Sequence, residues 1–315
     1  MSRNHVNPLR ISVVQYLNTA PLVRGFTHGP LHGKYQLSFT VPSQCAEDLR
    51  CGGADVAIIP AIEYQRIPNL VILPDLAIAS KKSARSLLLV SKRPMQHVTR
   101  IALDRTSRST QALVRILCAK RWHIAPEFFE AAPNLAAMLD RADAALLIGD
   151  PALRLAIASS THVKREHTGM VAIPASTAGV AGGGELFLLD IVEEWRALTN
   201  TPAVLAVWAA RPHVATREVV QDFQDSLAFG LRHVDAIVSE SAAEMNLPIG
   251  DLRRYFTENI DYQLDEENLR GLASYYSFAA ELGLIASANS VAIAAKSGSP
   301  LRYMDFVFSR KERHG

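Results

Sequence analysis

Polar side chains recur where apolar runs of this sequence end: Tyr16, Asn18, Ser43, Ser86, Ser107, Ser109 and Thr110 are uncharged, and Asp150 is the carboxylate among them. Hydroxyls, amides and helix N-terminal N–H groups donate hydrogen bonds to a carboxylate without needing a buried counter-charge. The chemistry they suit is capture of a small organic anion. Residues 13–22 carry the clearest case, passing from Val13 and Val14 through Tyr16-Leu17-Asn18-Thr19 to Pro21. Asn18 and Thr19 read as cap residues and Pro21 as first-turn proline, so the turn leaves helix N–H groups open. Thr106-Ser107-Arg108-Ser109-Thr110 is a second such turn, which reads equally as plain N-capping.

Other chemistries lack their anchors. The ten histidines are scattered, and His28 and His32, flanked by Gly29, Pro30 and Gly33, read as a surface loop rather than a metal-binding helix face. No Gly-x-Ser-x-Gly elbow, Walker loop or post-strand Gly-x-Gly-x-x-Gly occurs, which removes the usual hydrolase, nucleotidase and dehydrogenase readings. The glycine-rich run 175–185 lacks a Gly-Lys-Ser/Thr ending and reads as a loop. Lys and Arg total 33 against 31 for Asp and Glu, a net charge of +2, so neither a nucleic-acid nor a membrane-surface footprint is expected. Cys45, Cys51 and Cys118 form an odd set without paired spacing and read as small buried hydrophobes in a reducing compartment. Arg10, Gln15 and Asn18 interrupt any leader-like apolar run, and a cytoplasmic protein is expected.

The elements that must position these groups follow from hydrophobic periodicity. Residues 9–14 read as a buried strand, 35–41 as a half-buried alternating strand, and 55–59 as a fully apolar strand closed by Pro60, with a helix from Pro42-Ser43 to Gly52-Gly53 between the last two. Residues 70–74 and 86–90 supply two more strands. A second cycle runs from the strand at 101–103 through a helix bearing Leu113, Ile116 and Leu117 to the strand at 144–148, where Asp150 caps a helix starting at Pro151. Residues 203–209 form a buried strand that crosses back to the first lobe, and long apolar stripes, from Val219 to Ile237 and from Leu269 to Leu282, make the remainder helical. The expected fold class is therefore α/β, with two lobes and a central cleft at the carboxyl ends of the strands. Residues 1–93 form part of lobe 1, 94–200 lobe 2, 201–285 the return to lobe 1, and 286–315 a tail of undetermined order. Closure on a ligand would turn about residues 90–94 and 202–207.

Several motifs in sequence order resemble the chorismate dehydratases of the futalosine route to menaquinone. They are Tyr16-Leu17-Asn18-Thr19-x-Pro21-Leu22, Pro42-Ser43-x-Cys45-Ala46, Gly53-Ala54-Asp55-Val56-Ala57-Ile58-Ile59-Pro60-x-x-Glu63-Tyr64, Ser86 before its strand, Leu147-Ile148-Gly149-Asp150-x-Ala152-Leu153, and Glu194-Trp195 with Ala206-Val207-Trp208. The resemblance spans residues 8–285, with 81–85 departing from the small glycine-containing loop of the family. It implies a type II periplasmic-binding-protein fold used as a cytosolic hydro-lyase without cofactor, converting chorismate to 3-[(1-carboxyvinyl)oxy]benzoate and water. It implies catalytic roles for Asn18 and Ser86, with substrate contacts expected at Tyr16, Ser43, Thr106, Ser107, Ser109, Thr110, Gly149 and Asp150. The proton acceptor stays unassigned, the enolpyruvyl carboxylate of the substrate being one option. Two rivals stand beside it. One is the 1,4-dihydroxy-6-naphthoate synthase of the same route, which would want a histidine base such as His123, His162 or His167; the other is a non-catalytic anion-binding module. Oligomeric state is open.

Overall fold

The computed structural model describes residues 8–160, 170–181, 183–295 and 302–304. The first unit comprises β1 (Arg10–Val14), α1 (Ala20–His28), β2 (Gln36–Thr40), α2 (Pro42–Arg50), β3 (Val56–Pro60), α3 (Ala61–Tyr64) and β4 (Val71–Ser80). The second comprises β5 (Leu87–Ser91), β6 (Arg100–Asp104), α4 (Arg108–Lys120), β7 (Glu127–Ala131), α5 (Leu135–Arg141), β8 (Ala144–Ile148), α6 (Gly149–Ala158), β9 (Val171–Pro174), β10 (Glu185–Asp190) and α7 (Ile191–Thr199). The chain then returns through β11 (Ala203–Ala210), α8 (Arg217–Arg232), α9 (Val234–Met245), α10 (Ile249–Arg254), a π turn at Tyr255–Asn259, α11 (Glu266–Glu281), β12 (Val291–Ile293) and β13 (Arg302–Met304).

Two mixed sheets result, ordered β13-β12-β4-β11-β3-β1-β2 and β7-β6-β8-β5-β10-β9. Strands β3, β5, β8 and β11 are buried along their whole length and apolar but for Ser91 at the end of β5, as strands covered on both faces must be. The alternation at 35–41 has a different outcome: β2 lies at a sheet edge, and Phe39 is 45% exposed and Val41 38%. Pro74 does not end its strand. β4 runs on to Ser80 because a bulge takes up Pro74 and Asp75, the latter at φ 63°, between the register pairs Ala209↔Ile72 and Val207↔Ala77.

Strand β5 pairs with β8 and β10 in the second sheet, so the first crossing between sheets lies at residues 81–86, ahead of the expected 90–94 and of a lobe boundary at 93. The second crossing lies at 200–202, where Gly271 of α11 packs so close that an added Cβ would sit 2.2 Å from the Pro202 carbonyl oxygen. The expected tail also contributes structure, because buried Val291 and Ile293 add β12 in parallel beside β4. A three-residue strand is too short for a periodicity signal. The apolar stripe from Val219 to Ile237 is divided at His233 into α8 and α9. One large apolar core runs through both sheets by way of α4, α7 and α11, with a smaller one on the far face of the second sheet.

Candidate active site

Between the sheets lies a small cavity of about 50 Å³ lined by Tyr16, Asn18, Ser107, Ser109, Thr110 and Gly149 among apolar walls that include Ile78, Leu87 and Leu205. Four segments aim their starts at it: the 3-10 turn Leu17–Thr19, α2 through Pro42, α4 through Ser107, and α6 through Gly149. No side chain caps α2, α4 or α6, which leaves the positive ends of these helix dipoles facing the cavity.

Thr19 stands at the N-cap position of α1 but its side chain makes no cap bond there, and Asn18 lies within the 3-10 turn. The Thr19 hydroxyl donates to the carbonyl oxygens of Val14 at 2.6 Å and Tyr16 at 2.7 Å, pinning the 3-10 turn to the end of β1. Leu17 N–H donates across the cleft to Asp150 Oδ1 at 3.0 Å. Asn18 is thereby held from both sides, and its Oδ1 is buried without a hydrogen-bond partner among the described residues. Such an acceptor costs free energy unless a ligand pairs with it.

At the opposite wall, the start of α4 forms a directed set of donors. Ser107 Oγ donates to Thr110 Oγ1 at 2.9 Å, and Ile62 N–H donates to Ser109 Oγ at 3.2 Å. With their oxygens already accepting, the hydroxyl protons of Thr110 and Ser109 are free to point at an anion. The capping reading of this turn is set aside, since Ser107 makes no cap bond.

Of the ten expected site residues, six line the cavity; Thr106, Asp150, Ser43 and Ser86 do not. The Thr106 hydroxyl donates to Asp104 Oδ1 at 2.8 Å and receives the Tyr16 hydroxyl at a longer 3.4 Å. Asp150 does not cap α6 from outside but sits in its first turn, bound to Leu17; burial pushes its carboxyl pKa up. Its task is to join the lobes. Ser43 uses its N–H on the Thr106 carbonyl oxygen at 3.1 Å. Ser86 is buried behind the cavity, its Oγ accepting from Tyr255 Oη at 3.0 Å and its carbonyl oxygen from Gly149 N–H at 2.8 Å. Gly149 has φ +65°, and a Cβ there would meet the Tyr16 ring at 2.8 Å, so the ring lies flat against bare backbone.

The sequence singles out neither Tyr255 nor Asp104, and Glu63 enters there as a motif residue without a role at the site. Asp104 is fully buried, with Oδ2 unpartnered and its pKa raised by burial. Tyr255 and Glu63 meet their partners Ser86 and Arg108 from elements distant in sequence, so spacing carried no signal for them, while Asp104 is two residues before Thr106. His123 lies exposed in the turn after α4, and His162 and His167 fall outside the described residues. No group of three or more metal-ligating side chains is clustered among the described residues.

Two α/β lobes linked by two crossings, with helix starts converging on the cleft, define the periplasmic-binding-protein fold. The periplasmic aliphatic sulphonate binding protein SsuA of Escherichia coli shares it, at TM-score 0.57 and 16% identity over 89% of both chains. Protein AF1704 of Archaeoglobus fulgidus also matches, at TM-score 0.68 and 18% identity over 90% of this chain and all of that one. Within that fold, the chain belongs to the menaquinone biosynthesis family, whose model matches residues 9–281. It is 26% identical to the chorismate dehydratase of Thermus thermophilus over 282 residues, covering 89% of this chain and 97% of that one.

Proposed function

We propose that the protein is a chorismate dehydratase, a carbon-oxygen lyase of the futalosine route acting in the cytoplasm. The observation that carries the reading is the unpaired, buried Asn18 Oδ1 in an apolar cavity whose other wall is the donor turn of α4. Similarity to the Thermus thermophilus dehydratase and membership of the menaquinone biosynthesis family support it. Three free cysteines accord with a reducing compartment.

Chorismate is a dianion bearing a ring hydroxyl. The ring carboxylate lies at the start of α4, where Ser109, Thr110 and the N–H groups stabilise charge as the ring hydrogen is removed and an enolate forms. Asn18 accepts from the ring hydroxyl through Oδ1 and supports its oxygen through Nδ2 as the carbon-oxygen bond breaks. Neither Asp104 nor Asp150 lines the cavity, one oxygen of each is held by Thr106 or Leu17, and as carboxylates they would repel the dianion. The proton acceptor assigned here is the substrate's own enolpyruvyl carboxylate, which then returns the proton to the departing hydroxide. Water and the aromatic product result. Ser86, fixed by Tyr255, orders the wall from behind.

Incubation of the purified protein with chorismate, without metal or nucleotide, should yield a product lighter by one water, with benzoate absorbance. Chorismate bound but recovered unchanged would instead establish an anion-binding module.

A further inference from the structure

Arg108 occupies the first position of α4, where a cation opposes the helix dipole. Its place is explained by what it reaches across the cleft. One guanidinium nitrogen meets Glu47 of α2 at 2.7 Å, and another meets Glu63 of α3 at 3.0 Å. Glu63 is fully buried and also receives Arg50 and Arg66. Those two arginines belong to the same lobe as Glu63 and neutralise it without help. The third guanidinium is the one that comes from the second lobe, from between Ser107 and Ser109, whose side chains line the cavity.

We infer that Arg108 is a positioning residue, which, through Glu63 and Glu47, fixes the angle at which the first turn of α4 presents Ser109, Thr110 and its N–H groups to the substrate carboxylate. The functional part of this inference rests on the chorismate dehydratase reading. A planar guanidinium spanning two carboxylates sets an orientation as well as a distance, which a lysine ammonium does not. Small misplacement of a carboxylate cradle weakens its hold on the charge that develops in the transition state as well as on the bound substrate.

The test compares wild type, Arg108→Ala and Arg108→Lys as full chains. Glu63 keeps Arg50 and Arg66 in each, so both variants fold. In ligand-free Arg108→Ala, amide hydrogen exchange should quicken about tenfold at Gln111, whose N–H bonds the Ser107 carbonyl oxygen at 3.2 Å, and stay unchanged in the last turn of α4. kcat/KM for chorismate should fall about tenfold with kcat carrying part of the loss, because the same donors stabilise the forming enolate, and Arg108→Lys should fall between. Unchanged exchange at Gln111, or an unchanged kcat/KM, overturns the assignment. Wild type inactive on chorismate would overturn the reaction reading instead, and the exchange comparison would still decide whether Arg108 orders the turn.

Discussion

At the scale of single residues, the site joins one unpaired acceptor to a set of pre-aimed donors. Asn18→Ala removes an acceptor that has no partner among the described residues, so the melting temperature should hold while kcat on chorismate falls about a hundredfold, the usual effect of losing one group that stabilises the transition state. Melting curves and steady-state kinetics on the same sample check both halves. Tyr255 and Ser86 form one hydrogen-bonded pair, and their effects should not add. Tyr255→Phe and Ser86→Ala should each lower kcat by a similar factor, with the double variant no worse than either. Additive losses would mean that the two side chains act separately. Gly149→Ala combines a left-handed backbone with a methyl 2.8 Å from the Tyr16 ring. It should raise KM severalfold, with a loss of about 1 kcal/mol in unfolding free energy from the backbone alone.

At the scale of elements, Asp190 joins the loop before β5 to the start of α7. Its carboxylate accepts from the backbone N–H groups of Ala84, Arg85, Val192 and Glu193. Burial, with nearby Glu193, raises its pKa from 3.8 to about 6. A carboxyl group with a raised folded-state pKa contributes stability that is full below pH 3.8 and lost as pH rises through about 6. Asp190→Asn titrates nowhere in that window. The stability of wild type relative to Asp190→Asn should therefore decline across it, and denaturant melts at a series of pH values would show a constant difference if the shift were absent. The same carboxylate ties down the first crossing beside Ser86, which links the geometry of that loop to the wall of the site.

For the whole molecule, volume decides the mechanism of entry. Ligand pockets generally measure about 300–1,000 Å³. The cavity here holds about 50 Å³ and is shut by Tyr16 on Gly149, Leu17 on Asp150 and Ser43 on Thr106. On the chorismate dehydratase reading, substrate entry requires the lobes to part, and residues 81–86 and 200–202 are the crossings that would absorb the turn. Small-angle scattering should show a larger radius of gyration without ligand than with product bound. Equal radii would favour local opening at the Tyr16 turn over lobe rotation.

Much of this architecture was legible in the sequence because burial on both faces demands unbroken apolar runs. Val56–Pro60, Ala144–Ile148 and Ala203–Ala210 announce buried strands by composition alone, and glycine at 52–53 and proline at 42 and 60 mark where helices stop and start. The polar residues at those strand ends also marked the cleft, and six of the ten expected contacts line it. What the sequence could not decide was the direction of each hydrogen bond. Asp150 and Ser43 bear the chemistry of ligand contacts, yet they meet backbone groups of the other lobe, at separations of 133 and 63 residues. Tyr255 reaches Ser86 over 169 residues, and Glu63 reaches Arg108 over 45. Periodicity and capping are local, set by the pitch of a helix or the pleat of a strand. Whether a polar group faces a ligand or another part of the chain depends on how two lobes meet, and only the tertiary structure decides that.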